Sequence, residues 1–473
     1  MSSEKMIAEQ QKADIPKRTQ SFWKLAGPGA VLVGLSIGAG EIIIWPRIIA
    51  EFGASMAWAA VLGVFLQLWI NMEIGRWTIA TGETPFMGFS RIWIGFGPLF
   101  ILLTALGSIA PGWARASGLA LKALIVGPTG LGSDTLWTVI TFGLIAIILF
   151  GPNIIYQSVE RTVEALIVIV TLGLIAVVIA IGSADVWKEL GKGMLKVGYR
   201  DPNISIKVLF SAMVFAGAGG VYNLFYGFYL RDKNIGMGGR IAKMTNPIRG
   251  KIEAIPSVGF RFEDTPENRK RFSDWWDYVK KDQILFFWAL NTVTLILFMF
   301  GALAVLHPQG IVPAPGTLIW DEAVALGEVW GNAGQVIFLI VGFATLFGTQ
   351  LVVLDGVSRT FADIIYTNVA KARSRNVGWW YMIFCGGWMI LGCLLTFIME
   401  RVGVSDLGFI FNAAYLGGFA MAIYVPLLLY LNKRYLPKSV RPGISATTMM
   451  IIASLVYIGF AISSIIWEVT SRL

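Results

Sequence analysis

The sequence predicts an all-α integral membrane protein of about eleven transmembrane helices, two of them broken midway. Three observations carry that prediction. First, 56% of the 473 residues are hydrophobic and only 14% charged, with a mean hydropathy of +0.68, whereas a soluble domain is roughly 25% charged. Second, apolar windows of ~20 residues, the length that spans hydrocarbon, centre near residues 38, 67, 112, 143, 170, 218, 295, 350, 388, 420 and 457. Third, Gly38-Ala39-Gly40 in the first window recurs as Gly217-Ala218-Gly219 in the sixth. Glycine in a helix interior costs ~1 kcal/mol against alanine, and a carboxylate at membrane depth, here Glu41, costs more. Paired interruptions at corresponding places in two halves point to a transporter's midplane site.

In chain order, residues 1–22 form a polar, basic tail with no cleavable signal peptide, and they place the N-terminus in the cytoplasm of a plasma (inner) membrane. Residues 23–230 hold spans one to six. Residues 231–282 are a cytoplasmic insertion with 12 Lys/Arg and 8 Asp/Glu. Within it, Thr265-Pro266-Glu267 has the form of a helix start. Phe272, Trp275, Trp276 and Val279 then share one face, which reads equally as an interfacial amphipathic helix or a packed cytoplasmic cap. Residues 283–432 hold spans seven to ten; 433–473 hold a loop and the eleventh span, which sends the C-terminus outside. The formal charge of +9 follows from basic cytoplasmic loops and implies no nucleic-acid partner; the partner is the lipid bilayer. Only the 184–207 segment, with five Lys/Arg, runs against that asymmetry.

Few ionisable residues lie inside the windows: Glu41, Glu73, Arg115, Asp355 and Arg359 are the clearest. Glu41, at the break, is the candidate contact for substrate or coupling ion. Arg115 is a candidate counter-charge, and Asp355 with Arg359, one turn apart, reads as a structural pair. Cys385 and Cys393 form neither a disulfide framework nor a zinc motif. The sole histidine, His307, follows a span and leaves no histidine relay inside the membrane. With no nucleophile–base pair, metal-ligand cluster or phosphate loop, the chain does not read as an enzyme, and no cofactor or resident metal is expected.

Leu25-Ala26-Gly27-Pro28-Gly29, Gly82 and the Arg161/Glu164 pair resemble the Nramp family of divalent-metal transporters. That resemblance implies the LeuT-type fold of two inverted five-helix repeats, with helices 1 and 6 broken. The family's metal motifs are absent. Its Asp-Pro-Gly-Asn is here Gly38-Ala39-Gly40-Glu41, and its Met-Pro-His-Asn is Gly220-Val221-Tyr222-Asn223. Its helix-6 alanine falls on Gly217, its second histidine on Gly227, its helix-3 acids on Gly112 and Arg115, and its helix-10 glutamine near Asn412. Soft ligands select transition metals, and this set has lost them. The expected substrate-binding set is Gly38, Ala39, Gly40, Glu41, Gly217, Gly220, Tyr222, Asn223, Phe225, Tyr226 and Asn412. Aromatic surface with exposed backbone amides suits a small organic cation or zwitterion. The alternative is a hard ion such as Mg²⁺ held by Glu41 and Asn223. An isolated carboxylate that binds a cation when ionised and releases it on protonation would make H⁺ the coupling ion.

Overall fold

The computed structural model describes residues 9–38, 40–109, 112–246, 255–313, 318–402 and 406–470. Ala39 and Pro111 lie outside them. The described chain is helical almost throughout because its long apolar runs satisfy every backbone group internally, as a membrane requires. A short α1 (Phe22–Leu25) leads into α2 (Pro28–Ser36), which starts on proline at its first position. After an interruption come α3 (Trp45–Phe52) and α4 (Ala57–Thr81), the latter ending on Gly82 at φ 70. Next follow α5 (Pro85–Ile92), α6 (Phe96–Ser108), α7 (Gly112–Val126), α8 (Asp134–Phe150), α9 (Ile155–Ile181) and α10 (Ala184–Met194). The second interrupted segment is α11 (Ile206–Val214) and α12 (Tyr226–Asp232).

The remaining helices are α13 (Pro266–Asp282), α14 (Asn291–Gly301), α15 (His307–Gln309), α16 (Leu318–Asn368), α17 (Val377–Val402), α18 (Asp406–Tyr435) and α19 (Ile444–Thr470). Gly331, at φ 71, kinks α16. Among the described residues, eight helical stretches are long and apolar enough to cross a membrane. One of them, Pro28–Thr81, contains both the first and second expected spans; Asp134–Phe150 is shorter, and the sixth expected span is divided by its break.

The insertion is a packed cap. Thr265 Oγ1 accepts the Asn268 amide at 3.2 Å and starts α13. Phe272, Trp275 and Val279 are buried by the protein itself, so this apolar face is not available to lipid; the interfacial reading is corrected. Trp276 lies under the Arg76 guanidinium, 3.9 Å from the ring centroid. α13 continues through a π-helical turn, Gln283–Leu290, into α14, so the expected boundary at residue 282 falls inside one helical stretch, Pro266–Gln309. The N-terminal tail lies along this cap. β1 (Gln11–Lys12) pairs in parallel with β2 (Phe260–Arg261). Trp275 Nε1 donates to the Pro16 carbonyl at 2.8 Å, and Arg271 Nη1 to that of Ile15 at 2.9 Å.

Candidate functional site

Both glycine-rich interruptions are real breaks, and they meet. α2 stops at Ser36, the Gly38 amide donates to the Ser36 carbonyl at 2.7 Å, and the chain resumes as a π-helical turn, Gly40–Ile44. Gly40 and Glu41 are thus in a widened turn. A Cβ on Gly40 would overlap the Phe215 carbonyl, and one on Gly38 would overlap the Thr349 hydroxyl. Only glycine lets the two breaks and α16 approach this closely.

In the second break α11 ends at Val214, and a 3₁₀ turn, Gly220–Phe225, restores the helix. Gly219 and Gly220 hold φ of 68 and 55, in the left-handed region that favours glycine. A Cβ on Gly220 would sit 2.8 Å from Cα of Gly417 in α18.

The freed backbone groups find partners on other helices. Gln67 of α4 donates through Nε2 to the Val214 carbonyl at 2.9 Å. Its Oε1 accepts the Gly219 amide at 2.9 Å and Asn223 Nδ2 at 3.2 Å. Asn291 Nδ2 donates to the Ala216 carbonyl at 3.0 Å, and Trp45 Nε1 to that of Ala212 at 3.1 Å. Thr349 Oγ1 donates to its own helix at Thr345 and lies 3.5 Å from the Ile37 carbonyl.

Where the breaks cross lies a narrow, partly open cavity. Its walls are Ser36 and Gly40 from the first break, Phe215, Gly217, Ala218 and Tyr222 from the second, Trp113 of α7, Thr349 of α16 and Leu35. Trp113, Phe215 and Tyr222 form an aromatic wall with centroids 6.1–6.3 Å apart. The Tyr222 hydroxyl donates to the Gly107 carbonyl at 2.7 Å and is thereby fixed. The Trp113 indole N–H is buried and has no partner among the described residues. No charged side chain lines this cavity.

The expected residues divide accordingly. Gly38, Gly40, Gly217, Gly220 and Tyr222 are at the crossing. Asn223 is beside it, held by Gln67 and by the Tyr424 hydroxyl at 3.2 Å, its Oδ1 without a partner among the described residues. Phe225 packs over Gly356, and the Tyr226 hydroxyl donates to Asp282 Oδ2 at 2.7 Å, away from the cavity. Asn412 is exposed, and Gly417 is the α18 residue that reaches the break.

Glu41 is fully buried beside the cavity. Its Oε1 lies 3.2 Å from the Thr294 hydroxyl of α14, and its Oε2 has no partner among the described residues. Arg115 pairs with Asp134 at 2.9 Å, which corrects its expected role as counter-charge to Glu41. Arg47 donates to the Pro313 carbonyl at 2.5 Å. The structural reading of Asp355 and Arg359 is supported: they pair at 2.8 Å, with Asp232 on the same guanidinium at 2.6 Å.

Gln67, Trp113, Ser36 and Thr349 were missed. The available signal was polarity inside apolar windows, strongest for Gln67 and Asn71, which lie four residues apart in the second span. Among the described residues, no group of three or more His, Cys, Asp or Glu is placed to hold a metal ion.

No protein-family model matches the chain, and no curated protein sequence does. Solved structures do match. The manganese transporter of Eremococcus coleocola, in complex with an aromatic bis-isothiourea substituted compound, superposes with a TM-score of 0.71 at 16% identity, covering 98% of this chain and 90% of that one. MhsT in complex with L-phenylalanine gives 0.55 at 13% identity, covering 94% of this chain and 99% of that one. Mhp1, a nucleobase-cation-symport-1 family transporter with bromovinylhydantoin bound, gives 0.52 at 13% identity, covering 94% and 93%. The chain therefore has the fold of the LeuT-type membrane transporters, most similar among these three to the manganese transporter.

Proposed function

We propose that the protein is a secondary-active transporter that carries a small organic cation or zwitterion through the cavity between its two helix breaks, coupled to H⁺. The observation that carries this reading is the chemistry of the walls. A cavity walled by three aromatic rings and no charged side chain matches the chemistry of a small molecule with a diffuse or balanced charge. Ring faces attract ammonium groups, and the unpaired Trp113 N–H is a donor ready for a carboxylate or carbonyl oxygen. All three structural neighbours hold organic compounds, the manganese transporter included, and in the other two these are L-phenylalanine and bromovinylhydantoin, which supports an organic ligand on this fold. The Mg²⁺ reading needs Glu41 and Asn223 in the walls, and neither is there. The neighbouring transporter's manganese finds no thioether, imidazole or carboxylate in this cavity.

Glu41 is the candidate proton carrier. It is buried next to the first break, one oxygen is unpartnered, and its one hydrogen bond is to Thr294. Protonation and ionisation there change the charge felt by the break at close range, in a medium that screens little.

The test is uptake into proteoliposomes across an inward H⁺ gradient, with labelled primary amines, amino acids, Mg²⁺ and Mn²⁺. Saturable uptake of an amine or amino acid is expected, with Trp113→Phe raising its KM by roughly tenfold for a lost hydrogen bond to a charged group. Glu41→Gln removes the stimulation by the gradient. Saturable uptake of a metal ion with none of any organic compound overturns the reading.

A further inference from the structure

A second, narrow and partly open cavity lies between α3, α9, α14 and the N-terminal half of α16. Its walls are apolar, including Pro46, Leu174, Leu297 and Phe338, with one exception, Glu322. That carboxylate is 4% exposed, and neither oxygen has a hydrogen-bond or ion-pair partner among the described residues. The other buried carboxylates are differently served. Glu73 has Arg76, Asp355 has Arg359, Asp363 has Arg231, and Glu160 has Lys233. Asp282 has the Tyr226 hydroxyl, and even Glu41 has the Thr294 hydroxyl.

A buried, unpartnered acid is costly in every structure, so its position on the wall of an open apolar space calls for a ligand. That ligand must bring hydrogen-bond donors with positive charge for the two oxygens and apolar surface for the rest of the cavity. We propose that this cavity is a second binding site, separate from the crossing of the breaks, for a water-borne primary ammonium carrying an alkyl chain. The ammonium donates N–H bonds to both Glu322 oxygens, and the chain lies against Leu297 and Phe338. Gly301 marks the space left for it: a Cβ there would meet no atom within 4 Å. The site rests on none of the residues assigned to transport.

The test is thermal unfolding of the full chain in phosphatidylcholine nanodiscs titrated with octylammonium, with 1-octanol as the neutral probe. Octylammonium should raise the midpoint saturably, by about 5 °C at a hundredfold excess over its Kd, while octanol should not. Glu322→Gln should weaken binding roughly tenfold or more, the worth of charge-assisted bonds. Gly301→Leu keeps the carboxylate and fills the space, and should weaken binding as well; it decides the matter if Glu322→Gln fails to fold. Unchanged octylammonium binding in the folded variants, or an equal shift from octanol, overturns the proposal. Discs containing phosphatidylethanolamine should give the same octylammonium shift. Its disappearance there overturns the assignment to a water-borne amine and gives the site to an aminolipid headgroup.

Discussion

A helix broken inside a membrane must replace each lost backbone bond from somewhere, and here Gln67 is the main source. One side chain joins the Val214 carbonyl, the Gly219 amide and Asn223. Gln67→Leu strands all three, and with roughly 1–3 kcal/mol for each buried unsatisfied group we expect a loss of about 3 kcal/mol, read as a lowered unfolding midpoint. Gly40→Ala is more severe, because its Cβ would overlap the Phe215 carbonyl. The two breaks must then separate, so we expect folded but inactive protein or no folded protein, distinguished by size-exclusion chromatography before uptake is assayed. Gly38, Gly40, Gly217 and Gly220 could be read from the sequence, because glycine and charge in an apolar run have a cost that local reasoning detects. Gln67, Trp113 and Thr349 could not be joined to them, since they come from three other spans and only tertiary packing brings them in. The side that Glu41 faces was hidden for another reason. The π-helical turn at Gly40–Ile44 changes the rotation per residue, so α-helical counting points it toward the wrong neighbour.

At the scale of elements, the cap depends on α13. Its start, its apolar face and its amphipathic spacing were readable from Thr265 to Val279. What covers that face was not, because the partners are the N-terminal tail and α4, far away in sequence. Trp275 holds the tail through the Pro16 carbonyl and is itself buried. Trp275→Ala should therefore cost about 3–5 kcal/mol locally and release the tail. Limited trypsin digestion checks this, with faster cleavage after Lys17 and Arg18 than in the wild type. The cap also has an acid-sensitive edge. The Ser439 hydroxyl, 2.5 Å away, and Arg269 at 2.7 Å hold the Asp264 carboxyl below its usual range. A lowered folded-state value stabilises above the unfolded value of about 3.9 and is lost as pH falls through the folded one. Hydrogen exchange of residues 264–269 should accordingly rise only below about pH 4, and Ser439→Ala should move that onset upward.

For the whole molecule, the apolar windows anticipated a helical membrane protein and the paired breaks a transporter's midplane site, while the LeuT-type architecture came from the family resemblance; superposition on three solved transporters agrees. The substrate was less accessible from sequence, because it depends on which side chains are absent from one small space. Glu41, which the sequence made the centre of the site, is next to that space and not on its wall. The central claim is that a small organic cation or zwitterion binds where the breaks cross. Its most direct test is ligand-dependent thermal unfolding of the wild type and of Ser36→Leu, which fills the cavity, against amines, amino acids, Mg²⁺ and Mn²⁺. A ligand that binds only the folded protein raises its apparent stability by mass action. The account predicts a saturable upward shift with an amine or amino acid that Ser36→Leu abolishes; a shift with Mg²⁺ or Mn²⁺ alone, or an organic shift that survives Ser36→Leu, would contradict it.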